Sequence, residues 1–443
     1  MLGGKSVIGV MSQTSEATPW WSPFLRFAAK SDIGMRRTNN QDSHYEVPAA
    51  SSRNWQTNGH LFIVADGMGA HAAGEYASGL ATETIAQSYL RRSGEAPHEA
   101  VKNAILEAHA LIRQKGAEDA AFHDMGTTAD VLLLLPEGAL VGHVGDSRVY
   151  RLRDHVYEQL TFDHSLLWEI TRSGRIPKEK IPSPIPKNVI TRSLGPVQRL
   201  TVDLEGPFPI QAGDTFLLCS DGLSGQIEDD EMGQILSLFS PAEAAEALVN
   251  IANMRGGPDN ITVIIANVLG QPEIDDSRRI QKKEKRRPLS AAGLTTIIAS
   301  LTLWFLFLVL AVTRTGSFLG IALSALAAAA ASAAALRVNR KTFFSQAKPL
   351  TTTPFGRGPY VRVNAEPARE FAEKLILSEQ ELFKVVERHS SEVKDDPGGK
   401  FAELHRPCLH GMSTGQYGDA IFAVVRLINM LMAKIKEDRP KAA

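Results

Sequence analysis

The chain has 443 residues, 44% of them hydrophobic and 22% charged, with a formal net charge of -1. This length exceeds one typical domain, so two or three units are expected, and the composition is that of a folded protein rather than a disordered one. The near-neutral balance lacks the electrostatic footprint of a nucleic-acid binder. The two cysteines, Cys219 and Cys408, lie far apart without metal-ligand spacing, which argues against a disulfide framework and favours a reducing compartment.

Residues 1–24 read as an N-terminal extension. Met1 to Trp21 holds one lysine and no uninterrupted apolar core, so no secretory signal peptide is expected. Leu61 to Ala65 is an apolar run suited to a buried strand. Glu99 to Lys115 places apolar residues at 101, 104, 105, 108, 111 and 112, one face of a helix. Ala129 to Leu135 is a second strand, followed by a tight turn at Pro136-Glu137-Gly138. Thr215 to Cys219 is a third. Ser240-Pro241-Ala242-Glu243 has the form of a capping box with proline at the first helical position, predicting a helix to about Asn253. Ile261 to Leu269 is a further buried strand. Short turns join strands and the helices come in pairs, which favours an α+β class with antiparallel sheets covered by helices over a doubly wound parallel sheet.

Beyond residue 270 the pattern changes. Residues 271–288 form a basic linker containing RRIQKKEKRR at Arg278 to Arg287. Leu289 to Val312 carries no charge and is long enough to cross a hydrocarbon core of about 30 Å. Phe318 to Leu336 is a second uncharged stretch, rich in alanine, with Gly320 and Ser324 four apart as small packing residues. Residues 289–336 are therefore expected to form a transmembrane hairpin. Lys and Arg flank its outer ends, so the regions on both sides are expected to be cytoplasmic. Residues 337–443 read as a mainly helical C-terminal region, with helices at Glu366 to His389 and Asp419 to Lys436. The last is unusually apolar, as a core helix, a dimer interface or a membrane-surface helix would be, and the core of a small helical domain is the favoured reading.

The candidate chemistry is acidic. Asp66-Gly67 follows LFIVA, Gly145-Asp146 follows ALVGHV, Ser220-Asp221-Gly222 follows TFLLC, and Pro258-Asp259-Asn260 precedes ITVII. A buried strand holds its end rigidly, and glycine lets the chain turn close to a ligand. Four such ends could bring four carboxylates together, and carboxylates so gathered repel unless cations sit among them. Oxygen ligands without Cys or a His pair select Mg²⁺ or Mn²⁺ over zinc.

Read in order, these motifs resemble the PPM, or type 2C, family of metal-dependent protein phosphatases, in its bacterial flavour. The resemblance runs from SDIGMRRTNNQDS at Ser31 to Ser43 through ADGMGAHAAGEYAS at Ala65 to Ser78, Gly126-Thr127-Thr128, VGDSRVY at Val144 to Tyr150 and TFDHS at Thr161 to Ser165. It continues through ITRSLG at Ile190 to Gly195 and GDTFLLCSDGL at Gly213 to Leu223, and ends with GPDNITV at Gly257 to Val263.

The resemblance makes residues 25–270 the catalytic domain, a central β-sandwich flanked by helix pairs with metals at one end. It implies two or three Mn²⁺ or Mg²⁺ ions. Asp66 would bridge two of them and the Gly67 carbonyl would ligate one. Asp221 and Asp259 would hold the other, and Asp146 with Asp221 a third, weaker one. Asp42 would orient metal-bound water, and Arg37 would bind substrate phosphate. The implied reaction is hydrolysis of phosphoserine and phosphothreonine in proteins, by in-line attack of a metal-bridging hydroxide without a phosphoenzyme. Phosphoproteins, and a Ser/Thr kinase or its targets, are the implied partners, alongside the membrane. The competing readings are a non-catalytic phosphatase-fold binding module or membrane scaffold, and a small-molecule phosphatase.

Two positions depart from the family. Gln41 stands where Glu is common, offering an oxygen without a charge. Met68 stands where some members carry a histidine proposed as acid for the leaving group. His71, three residues on, reads as a structural residue at a helix start. Asp163 to Lys187, with Pro177, Pro182, Pro184 and Pro186, resembles the family's flap beside the active site.

Overall fold

A computed structural model describes residues 24–69, 72–172, 189–270, 298–305, 308–309, 325–326, 329–330, 354–389 and 400–437. Twelve strands are present among these: β1 (Leu25–Asp32), β2 (Asp42–Val47), β3 (His60–Met68), β4 (Gly126–Thr127), β5 (Ala129–Leu135), β6 (Gly138–Val144), β7 (Arg148–Arg153), β8 (Val156–Gln159), β9 (Asp203–Phe208), β10 (Thr215–Cys219), β11 (Ile261–Val268) and β12 (Val361–Asn364). The helices are α1 (Ser52–Thr57), α2 (Ala73–Arg91), α3 (Pro97–Glu118), α4 (Leu166–Arg172), α5 (Asp221–Ser224), α6 (Asp229–Leu238), α7 (Pro241–Met254), α8 (Arg369–His389), α9 (Lys400–Thr414) and α10 (Tyr417–Glu437).

The strands form two sheets, in the orders β1-β11-β10-β7-β8-β12 and β2-β3-β5-β6-β9, with β4 added beside β3. Every pairing is antiparallel. Side chains alternate across a strand, so β3 splits its residues between two cores. Phe62 and Val64 join Phe27, Leu132, Phe216, Leu218 and Ile264 between the sheets. Leu61, Ile63 and Ala65 face the other way, onto Ala77, Ala81 and Ile85 of α2 and Ala104, Ile105 and Ala108 of α3. Both faces of the sheet are covered, which is why these strands read as unbroken apolar runs. The opposite sheet is covered by α6 and α7, and the predicted capping box is present, with Ser240 and Glu243 closing the first turn of α7.

Residues 350–443 of the C-terminal region belong to this same compact unit, which also includes residues 1–93 and 97–272. β12 adds itself to β8 as the sixth strand, Val361 opposite Gln159 and Asn364 opposite Val156. The segment before it is held by the Glu205 carboxylate, which accepts from the Arg357 and Gly358 amides at 3.0 Å each and from the Tyr360 hydroxyl at 2.6 Å. Ile421, Val424, Val425 and Ile428 of α10 are buried in one cluster with Leu248 and Ile251 of α7 and Met232 of α6. The predicted apolar helix is therefore core, but a core shared with the sheet that α6 and α7 cover. α9 lies between the two expected C-terminal helices, in a stretch where Pro407 and Gly411 are helix breakers in isolation.

The membrane hairpin, and the multi-pass localisation built on it, is corrected. Among the described residues no helix is long and apolar enough to cross a membrane. Of 289–336, the helical residues described are 298–305, 308–309, 325–326 and 329–330, in a second unit of residues 94–96 and 273–349. Residues 1–23 of the N-terminal extension, the basic linker 271–288, His71 and the flap residues 173–187 lie outside the described residues.

Because the tail shares the catalytic core, a cavity in the tail should loosen the sheets. Ile428 is fully buried, and Ile428→Ala is expected to cost about 2–5 kcal/mol. Hydrogen exchange at the amides of β10 and β11 reads this directly. Protection unchanged there would show that the tail unfolds independently.

Candidate metal and phosphate site

The strand register brings the predicted acidic residues to one end of the sandwich. In one sheet Asp42 lies opposite Asp66, and Ala129 opposite Val144, the last residue before Gly145-Asp146. In the other, Asp32 lies opposite Ile261 and Cys219 opposite Val263, so Asp221 and Asp259 leave from that same end. Gly67 is required by closeness rather than by backbone angle: a Cβ there would run into the Gly74 carbonyl.

The cluster is electrostatically tense. Burial pushes Asp66 well above the usual carboxylate range, and the charges of Asp42, Asp221, Asp146 and Asp259 add to it. Asp42 is pushed up to about 7, by burial and then by Asp221 and Asp259, against hydrogen bonds from Thr262 and Ser220. Asp146 is raised to about 7 by burial, with Asp221 and Asp163 contributing. Asp221 is raised by burial and Asp259, with opposing help from an Asp66 hydrogen bond, Arg37 and Arg148. Arg37 reaches the cluster from its mouth, its guanidinium donating to Asp259 Oδ2 at 2.8 Å with about half of the side chain exposed (48%).

Three carboxylate oxygens here, Asp42 Oδ1, Asp146 Oδ1 and Asp221 Oδ1, are buried without a hydrogen-bond partner. Orphaned anionic acceptors gathered in one place fit hard divalent cations. Soft ligation is absent from the set: Cys219 is buried in the core behind α7 and burial raises its thiol. Among the described residues, no three His, Cys, Asp or Glu side chains stand as a group already able to close around an ion. The cluster is thus gathered but not drawn into a finished shell.

Several site residues were inside the quoted motifs without a role. Thr128 Oγ1 accepts the Asp66 amide at 2.8 Å, and Thr127 Oγ1 donates to the Asp66 carbonyl at 2.9 Å, clamping that residue's backbone. Ser220 Oγ donates to Asp42 Oδ2 at 2.7 Å. Asn260 donates to the carbonyls of Ile33 and Asn39 and accepts the Gln41 amide, tying the loop 33–41 to the start of β11. Arg148 grips the buried Asp163 with both ends of its fork. The signal for Ser220, Asn260 and Arg148 was a place within two residues of a predicted carboxylate, whereas Thr127 and Thr128 stood only in the quoted Gly126-Thr127-Thr128 motif. Gln41 donates its side-chain amide to the Gly69 carbonyl at 3.3 Å, and Met68 sits in β3 opposite Gly126.

The protein phosphatase 2C family pattern matches residues 35–253. Protein phosphatase PhpP of Streptococcus pneumoniae is 36% identical over 253 residues, covering 55% of this chain and 98% of that protein. Serine/threonine protein phosphatase PstP of Mycobacterium tuberculosis is 35% identical over 246 residues, covering 55% of this chain and 45% of that one. A crystal structure of the catalytic domain of a serine/threonine protein phosphatase PstP, in complex with two manganese ions, is 34% identical with a TM-score of 0.48, covering 56% of this chain and 99% of that one. With nearly the whole of PhpP matched at that identity, the chain belongs to the protein phosphatase 2C family.

Proposed function

We propose that this chain is a metal-dependent protein serine/threonine phosphatase, hydrolysing phosphoserine and phosphothreonine with two or three Mn²⁺ or Mg²⁺ ions. The observation that carries it is the mutually repelling set of Asp42, Asp66, Asp146 and Asp221, buried or half-buried, with a buried unpartnered oxygen on Asp42, Asp146 and Asp221, beside an exposed arginine. Asp66, the Gly67 carbonyl, Asp221, Asp259 and Asp146 would hold the ions. When bound, the ions supply hydroxide near neutral pH and neutralise charge on the phosphoryl oxygens.

The chain's own groups do the rest. Arg37 presents a planar fork to phosphate and can exchange Asp259 for it at the mouth of the site. Asp42, fixed on one oxygen by Ser220, keeps its other oxygen free to take a hydrogen bond from the attacking water and aim it. Thr127 and Thr128 fix the Asp66 backbone so the site needs little reorganisation during reaction. A covalent phosphoenzyme has no candidate nucleophile among these residues: Ser220 is fully buried and committed to Asp42, and Cys219 is a buried, raised thiol. Phosphoproteins are the substrates, and a Ser/Thr kinase acting on the same targets is the natural counterpart.

The full chain is expected to release phosphate from a phosphothreonine peptide with Mn²⁺ and to stop in EDTA. Release unaffected by EDTA, or none with any divalent ion from a folded chain, would favour the binding-module reading. Asp221→Asn removes a charge with almost no change of shape. It is expected to lower kcat/KM by at least about a hundredfold while the melt without metal is kept or improved, since a repelling carboxylate is gone. Wild-type turnover by that variant at saturating Mn²⁺ would remove Asp221 from the site.

Acidity should control metal uptake. Asp42 and Asp146 have folded-state pKa values raised from 3.8 to about 7. The metal-free fold therefore holds protons that the unfolded chain releases, and these groups weaken it as pH climbs from about 4 to about 7. Cations must displace those protons. Mn²⁺ is accordingly expected to raise the melting temperature more at pH 7.5 than at pH 5.5; an equal or reversed shift would contradict the assignment.

A further inference from the structure

The loop 33–41 leaves β1 after Asp32 and carries Arg37 to the site before β2 begins at Asp42. It has little freedom of its own. Gly34 takes a φ of +81° and passes so close to Asp259 that a side chain would strike its carbonyl. The amides of Met35 and Arg36 donate to the Gly257 carbonyl at 2.7 and 3.2 Å. Asp32 is the pivot. Its Oδ1 accepts the Gly34 amide and the Asn253 side chain, each at 2.9 Å. Its Oδ2 accepts Lys436 Nζ, at 2.7 Å, from the last turn of α10. Lys436 also reaches Asn250 Oδ1 at 3.4 Å, and Asn250 donates to Asn429 of the same helix at 2.9 Å. Asp32 is largely shielded, its side chain 16% exposed, so this pair is less screened than a surface ion pair. Burial alone would raise the Asp32 carboxyl; Lys436, Asn253 and the Gly34 amide together hold it below its usual value.

We propose that Lys436 is a positioning residue for phosphate binding: through Asp32 it sets the loop that carries Arg37, which makes the C-terminal helix α10 a working part of the phosphatase site. The inference rests on the reading of Arg37 as the phosphate-binding residue. It extends that reading to a segment beyond residues 35–253, where the family pattern matches. Substrate affinity in this chain then depends on whether its tail is docked.

The test uses the full chain with Mn²⁺ and a phosphothreonine peptide. Lys436→Met is expected to raise KM about fivefold with kcat changed less than about twofold, the pattern of lost ground-state binding. Lys436→Arg, which keeps the charge, restores the wild-type KM. In an Arg37→Ala background Lys436→Met adds nothing further, because the group it positions is gone. If Lys436→Met fails to fold, Asp32→Asn reads the same contact from its other side and should give the same split and the same non-additivity. An unchanged KM in a variant that melts like the wild type overturns the proposal. So does a KM increase of equal size with and without Arg37, which would make the contact a mere staple of the tail. An active wild type with unmoved variants defeats this inference alone, whereas a wild type without metal-dependent release defeats the functional reading and this inference with it.

Discussion

Like-charged carboxylates held out of water at one end of a sandwich are the constraint on which the rest of this structure depends. Each would relax by moving apart or reaching solvent, and the fold restricts both routes, burying Asp146 and leaving Asp42, Asp66 and Asp221 only partly exposed. Asp66 is gripped through its backbone by two threonine hydroxyls, Asp42 is fixed by Ser220, and Asp146 follows a strand buried along its whole length. The strands resist because both of their faces are packed, one against the opposite sheet and one against helices. The fold supplies position and leaves neutrality to be supplied from outside, by protons or by cations.

The basic groups around the cluster are arranged with restraint. Arg148 lies close enough to lower Asp221, but its fork is engaged with Asp163, so it tempers the site without filling it. Arg37 stands at the mouth with about half of its side chain exposed (48%). A second free arginine within the cluster would compete with the ions for the same oxygens.

What the sequence made legible follows from which signals are local. β5 and β10 were bounded to the residue, because buried strands read as mostly apolar runs, broken in β5 only by Asp130. The start of α7 was readable from its cap. β2, reading DSHYEV with no fully buried residue, offered no such run. α9 was lost to Pro407 and Gly411, whose breaking tendency tertiary packing overrides here. The carboxylates were legible because several Asp-Gly ends occur in a recognisable order. Thr128, Ser220 and Asn260 were not, since each pairs with a group far away in sequence, the Asp66 amide, the Asp42 carboxylate and the Asn39 carbonyl, which only the fold brings near. Lys436 is the extreme case: a lysine in the last turn of an amphipathic helix reads as solvated surface, and only the docked tail brings it to Asp32. The long uncharged stretches at 289–336 carried a hydropathy signal for spanning a bilayer, and no described helix there is long enough to do so.

The pairing of β12 with β8 has a consequence for how the protein is made. A ribosome delivers β8 and the apolar side of α7 long before it delivers β12 and α10, with the whole of residues 273–349 synthesised in between. Through that interval the nascent chain has an unpaired sheet edge and an uncovered greasy helix face, the two features that most readily recruit a neighbouring chain. Closing so long a loop is also slow compared with forming the hairpins that precede it. The order of synthesis thus leaves that edge and that face uncovered until α10 emerges.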